Sequence, residues 1–333
     1  MSPKPLLIRE GARYACFSDG LCCTDAHALG PVTASEVTRL TVLRGPVTRR
    51  HDALDIDVLT TRDHHCTFLR SDGLCDVHVK EGASAKPRTC QQFPFGLVST
   101  PSGMRVTTEH RCPCRTLGER PLLKASEVRQ IFPEVDEPDL LVDYPIAMNV
   151  ATELSFAEYE YIERELLTRL AAGDDALDVL VASPWPSLDG VSWLDASHLF
   201  RALLDGSACG DALASFGDVI LAGVSERKPE LRQRSWGASF DRAEARTHAP
   251  QKPQAMLNDF VADNIWSLAW TDCTFAQARA ELATRVVIAN VYAAKLEAHG
   301  VRSDRAMAEA LLVVELGGSS SLWRQLVHQM VVP

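Results

Sequence analysis

Apolar positions along this chain recur with two periods, and the balance between them shifts near residue 120. In "TASEVTRLTVL", Thr33 and Glu36 have capping-box spacing, and Val37, Leu40 and Leu43 follow at helical intervals. This predicts a helix over 34–44, stopped by Gly45 and Pro46. "ALDIDVLTT" alternates apolar and polar residues as a strand does, and "HHCTFLRSDGLCDVHVK" reads as two short strands around a turn at Ser71-Asp72-Gly73. Whether that turn has two residues or four, opposing positions sum to an odd number, which sets Cys66 and Cys75 on one face. A second hairpin is predicted in "GLVSTPSGMRVTTEH", with "PSG" at its tip.

Beyond residue 120 the period becomes helical. Ser155 and Glu158 form a second capping box, followed by Phe156, Tyr159, Ile162, Leu166 and Leu170 on one face and by Gly173 as a stop. Thr274 and Gln277 repeat the device before a long segment through Val286, Val287, Val291 and Leu296. Further helices are predicted near 195–205, 254–271 and 304–315, with Pro-rich connectors at 131–145 and 183–187. Gly317-Gly318 reads as a helix end. The fold class expected is α+β: a small cysteine-rich α+β domain over 1–120 with short hairpins, and a mainly α-helical domain over 121–333.

Composition narrows the function. With 333 residues and 46% hydrophobic content the chain can bury a substantial core without cross-links. No apolar run approaches the roughly 18 residues of a spanning helix. The opening "MSPKPLLIREGARYAC" has only a three-residue apolar cluster, too short for a secretory signal, so the expected location is the cytoplasm and no membrane partner is expected. Residues 1–120 hold 16 Lys and Arg against 13 Asp and Glu, and the remainder 18 against 31. That acidic balance argues against nucleic acid as a partner.

Cysteine usage is the strongest chemical signal. Cys16, Cys22, Cys23, Cys66, Cys75, Cys90, Cys112 and Cys114 all lie in the first 120 residues, and only Cys209 and Cys273 lie beyond. In a reducing compartment such a set reads as metal-binding rather than as disulfides, because thiolate is a soft anionic ligand for zinc, copper(I) and iron–sulfur centres. The adjacent Cys22 and Cys23 sharpen this. In an extended segment neighbouring side chains diverge, so one tetrahedral zinc rarely takes both. Two sites or one polynuclear cluster accommodate them better: a four-cysteine iron–sulfur cluster, with [4Fe–4S] favoured, or two four-cysteine zinc sites. His64, His65, His78 and His110 flank cysteines and are candidate ligands or donors behind the ligands, although an exposed strand or turn histidine is the ordinary reading of each.

The run "CFSDGLCC", then "CTFLRSDGLCDVH", then "KPRTCQQFPF", then "CPC" resembles the YkgJ-type cysteine-cluster family, described as a zinc- or iron-chelating domain, which includes flagellin lysine-N-methylase. The resemblance covers about residues 16–114 and implies metal ligation by Cys16, Cys22, Cys23, Cys66, Cys75 and Cys90, with Cys112 at the terminal motif and Cys114 beside it. Asp19 stands where many members have a cysteine, and is a harder ligand or a turn residue. Lys86 stands where an arginine is usual before Pro87, keeping the charge and losing the planar fork. The methylase resemblance further implies methyl transfer from S-adenosylmethionine to a protein substrate with exposed lysines, with an iron–sulfur cluster involved. The competing expectation is a non-catalytic structural zinc module with a helical protein-interaction platform. No catalytic residue and no S-adenosylmethionine-binding residue is identified, since no glycine-rich turn joins a strand to a helix. Phe260, Trp266 and Trp270 at helical spacing read as core, and Cys209 and Cys273 as ordinary apolar residues.

Overall fold

Each capping box read from the sequence is closed in the computed structural model, which describes residues 4–51, 55–132, 138–225, 229–246 and 249–332. The Thr33 hydroxyl accepts from the Glu36 amide while the Glu36 carboxylate accepts from the Thr33 amide at 2.8 Å, starting helix Ala34–Arg44. Ser155 with Glu158 starts helix Phe156–Ala172, and Thr274 with Gln277 starts helix Phe275–Glu297. Each box satisfies donors that the first helical turn leaves orphaned. Helices Trp193–Arg201, Pro253–Ser267 and Ser303–Ser319 occupy the other predicted segments. Gly317-Gly318 lies inside the last of these, near its end. Residues 133–137 of the connector 131–145 lie outside the described residues.

The predicted hairpin at 96–110 forms strands Phe95–Thr100 and Gly103–Thr108, paired antiparallel from Thr100 opposite Gly103. Two short strands flank it in parallel, Leu6–Ile8 against Gly103–Thr108 and Leu140–Leu141 against Phe95–Thr100. Gly103 permits this close approach. A Cβ there would lie 2.8 Å from the Leu7 side chain and from the Pro5 carbonyl oxygen. The molecule is thus mixed α and β, about half helical, with small sheets. Its main apolar core gathers Leu21, Ala26, Val98 and Leu117 together with the helices after residue 155.

Two readings are corrected. Residues 76–81 are a helix, Asp76–Glu81, not the second strand of a hairpin around Gly73. The alternation Val77-His78-Val79 misleads because only Val77 is buried; Asp76 bonds Lys80 one turn on at 2.9 Å, and Gly82 at φ 89° ends the turn. A single bridge between Leu69 and Cys75 is what remains of the pairing. The second correction is helix Ala208–Val224, absent from the prediction because Gly210, Gly217 and Gly223 weaken its helical signal. Those glycines serve contact. A Cβ on Gly217 would lie 2.8 Å from the Phe200 Cβ and the Ser197 carbonyl oxygen of helix Trp193–Arg201.

Candidate metal centre

Eight cysteines from six chain segments gather in two adjoining groups. Cys22 and Cys23 leave a 3₁₀ turn, Leu21–Cys23, that Gly20 initiates at φ 82°. Leu21, fully buried in the main core, anchors that turn, and the two sulfurs stand 4.0 Å apart. Cys66 ends the short strand His65–Cys66, Cys75 caps helix Asp76–Glu81, and Cys90 sits in helix Arg88–Gln92 behind Pro87. Cys22, Cys23, Cys66, Cys75 and Cys90 line one cavity of about 40 Å³, walled by Leu29, Leu59, Phe68, Val77 and Phe93 and flanked by Lys86. Cys66 and Cys75 therefore do face one site, as predicted, although a strand and a helix cap present them rather than one hairpin.

A second group adjoins the first. The donor atoms of Asp19, Cys112 and Cys114 lie within 4.8 Å of one another, a spacing that can hold a metal ion. Cys114 Sγ is 2.6 Å from Asp19 Oδ2, and the Asp19 Oδ1 accepts from the Leu21 amide at 2.8 Å. Asp19 is thus both a turn residue and a member of the donor group. The Cys114 sulfur accepts from the Phe17 amide at 3.0 Å, and the hydrogen bond that Cys16 gives to Cys114, together with burial, raises the Cys16 thiol. Cys22 belongs to both neighbourhoods, because its charge acts on Cys16's neighbour Cys112 and also on Cys66 and Cys90.

Electrostatics in both groups oppose free thiolates. Burial pushes Cys66 up to about 11, with Cys75 and Cys22 adding to it. Cys90 is pushed up to about 12, chiefly by burial and against the pull of Lys86. Cys112 is also raised; its hydrogen bond with Cys114 pulls down, but burial and the charges of Asp19, Cys22 and Cys16 prevail. Thiols that raise one another in this way are those a cation relieves, since a metal favours every thiolate at once. The donor set fits a thiolate-bound metal.

The histidines are set apart. His64 Nδ1 bonds Asp25 at 3.0 Å, His65 Nδ1 bonds the Asp63 carbonyl at 2.6 Å, and His78 is exposed on helix Asp76–Glu81. The strand position read for His78 does not exist. His110 is buried against Asp263 at 2.9 Å. His27, unflagged by the sequence, buries both ring nitrogens without a partner and stacks on Phe93 at 5.0 Å.

Arginines frame the cysteine loops through backbone and carboxylate contacts. Arg242 donates to the Asp19 carbonyl at 2.7 Å, Arg246 to the Ser18 carbonyl at 2.8 Å, and Arg120 to the Cys114 carbonyl at 2.9 Å while lying 3.8 Å over the Phe17 ring. Arg115, next to Cys114, is buried and pairs with Asp259 and Asp263 of helix Pro253–Ser267; Arg9 pairs with the same two carboxylates. These guanidiniums lock the "CPC" loop onto the helices. The Trp266 indole ties helix Pro253–Ser267 to strand Gly103–Thr108, donating to the Val106 carbonyl at 3.0 Å, and Trp270 is buried against Tyr159 and Phe275. Among the described residues no helix is long and apolar enough to cross a membrane. Compared with protein-family models, curated proteins and solved structures, the chain matches none.

Proposed function

We propose that this protein is a cytoplasmic metal-binding protein whose cysteines hold an iron–sulfur cluster or zinc in two adjoining donor groups. The observation that carries this reading is the convergence of Cys22, Cys23, Cys66, Cys75 and Cys90, from four stretches of chain, on one cavity beside Asp19, Cys112 and Cys114. Cys23, Cys66, Cys75 and Cys90 supply a four-thiolate set; Cys16, Asp19, Cys112 and Cys114 supply the second, with Cys22 between them. When bound, the metal supplies charge that keeps the thiolates ionised and, if iron, an electron-transfer or activating centre. The chain's own part is to bury the sulfurs, exclude water with Leu59, Phe68 and Val77, and hold the loops by Arg115, Arg120 and Arg242.

The resemblance extends this to methyl transfer from S-adenosylmethionine to lysines of a protein substrate. The second reading, a structural zinc module with a helical interaction platform, is favoured by the small cavity of about 40 Å³, which suits single ions. Anaerobic purification followed by metal analysis and absorption spectroscopy separates the two. A brown protein that bleaches on reduction supports iron; a colourless protein with stoichiometric zinc supports the structural reading. Metal-free protein from the anaerobic preparation overturns metal binding altogether. Calorimetric titration of the iron-loaded protein with S-adenosylmethionine tests the methyl-transfer extension separately, and an absence of heat removes it while leaving the metal reading in place.

A further inference from the structure

A separate cavity of about 300 Å³ opens where the end of strand Gly103–Thr108 meets helices Pro253–Ser267, Phe275–Glu297, Ser303–Ser319 and Ser321–His328. That volume lies at the lower end of small-molecule sites. Its walls carry five carboxylates and three guanidiniums. Most are already matched. Arg111 pairs with Glu109 at 2.7 Å, Arg285 gives two bonds of 2.7 Å to Glu281, and Asp263 is held by Arg9, Arg115 and His110.

Glu315 is the exception. Its Oε2 is buried with no hydrogen-bond partner, and the nearest guanidinium nitrogen, Arg285 Nη1, stands 4.0 Å away. Arg285 is not free to close that gap. Its Nε and Nη2 are held by Glu281, and Nη2 also by Asn264 at 2.9 Å, which fixes the guanidinium with Nη1 toward Glu315, and it runs so close beside Gly318 that a Cβ there would meet Nη1 at 2.6 Å. Glu315 keeps 16% of its side chain exposed at a cavity that Trp270 and Trp323 also line. An under-paired carboxylate in a partly desolvated cavity attracts a cation more strongly than one in water, and indole walls suit both an alkyl chain and a cationic head.

We infer that this cavity binds a small organic cation of the primary alkylammonium class, its head group against the Glu315 carboxylate and its chain along Trp270 and Trp323. The inference uses no cysteine and stands whether or not the metal reading does. Such an ammonium comes from a lysyl side chain or from a free amine, and two probes distinguish them: N-acetyl-lysine methylamide and 1,4-diaminobutane. Calorimetry on the full-length, as-purified protein is expected to show binding of at least one, tighter for the lysine derivative if the source is a peptide and for the diamine if it is a free amine. N-acetyl-norleucine methylamide, which has the chain without the ammonium, is expected to bind at least tenfold more weakly than the lysine derivative if the latter binds, or not at all. Glu315→Gln, which keeps the shape and removes the charge, is expected to weaken ammonium binding at least tenfold with an unchanged circular dichroism spectrum. The inference is overturned if neither ammonium binds, if the norleucine and lysine derivatives bind equally, or if folded Glu315→Gln binds as well as the parent. The probe series on the unaltered protein decides the matter even where the variant does not fold.

Discussion

The cysteine-bearing stretch and the helical half solve the problem of staying folded in different ways. After residue 155 the chain buries Trp236, Phe240, Phe260, Tyr292 and Trp323 among close-packed helices in one continuous apolar core. Between residues 29 and 77 the corresponding cluster is small, built on Leu29, Val32, Leu40, Val47, Leu59, Phe68 and Val77, with Cys23, Cys75 and Cys90 packed at its margin. Apolar burial scales with the area removed from water, so the first region has stability to spare and the second has little. On the proposed metal-binding reading, a bound metal completes this small core edged by thiols. Metal binding is then folding free energy for one region and nearly irrelevant to the other.

Chelation is the strongest way to break that contrast. Structural zinc contributes on the order of 10–16 kcal/mol of apparent binding free energy in small domains. Removing the metal is therefore expected to abolish hydrogen-exchange protection around Leu40, Leu59 and Val77 while leaving helices Phe275–Glu297 and Ser303–Ser319 protected. The double change Cys22→Ser and Cys23→Ser is expected to reproduce this, with metal content falling to background, whereas Cys209→Ser and Cys273→Ser leave metal content unchanged. Equal loss of protection in both halves would contradict the comparison.

The next effect tests the lock between the regions. Arg115→Met leaves Asp259 and Asp263 buried with Arg9 as their remaining guanidinium. Removing one partner from a buried ionic group costs about 3–5 kcal/mol, and denaturant unfolding should register a loss of that order. Within the helical half, Gly217→Ala pushes a methyl into Phe200 and Ser197. Overpacking of this kind costs about 1–3 kcal/mol with metal content unaffected.

A pH titration of metal-free protein sharpens the comparison in another way. Cys66 and Cys90 are raised from 9.0 to about 11 and about 12, so both are neutral in the folded state at pH values where the unfolded chain has begun to ionise. Their stabilising effect is complete below pH 9 and is lost as pH climbs toward 12, at about 1.4 kcal/mol per pH unit for each thiol. Thermal melts from pH 8 to pH 10 should show the metal-free protein weakening, and metal loading should release protons into a weakly buffered solution. The smallest effect belongs to Lys80→Ala, whose exposed pair with Asp76 is expected to contribute about 0.5 kcal/mol or less.

Capping boxes and tight turns were legible because both partners lie within four residues. Thr33 with Glu36, Ser155 with Glu158, and the tip of the hairpin ending at Gly103 announce themselves in any window that contains them. Helix Asp76–Glu81 was not, because its six residues bury one valine and the V-H-V alternation imitates a strand. Helix Ala208–Val224 was hidden by glycines whose value lies in a neighbour that the local sequence does not mention.

By itself the sequence determined that eight thiols crowd the first third of the chain, that this region turns quickly while the rest is helical, and where the strongest helices begin. Spacing and local hydrogen bonding decide those things. Only the tertiary structure decided that Cys22 sits between two donor groups, that Asp19 meets Cys114, that arginines from residues 242 and 246 hold the first cysteine loop, and that the Glu315 Oε2 lies at a cavity with no hydrogen-bond partner. Asp19 and Cys114 are 95 positions apart and the two arginines more than 200 positions from the loop they hold, so tertiary packing, not any local preference, brings them together.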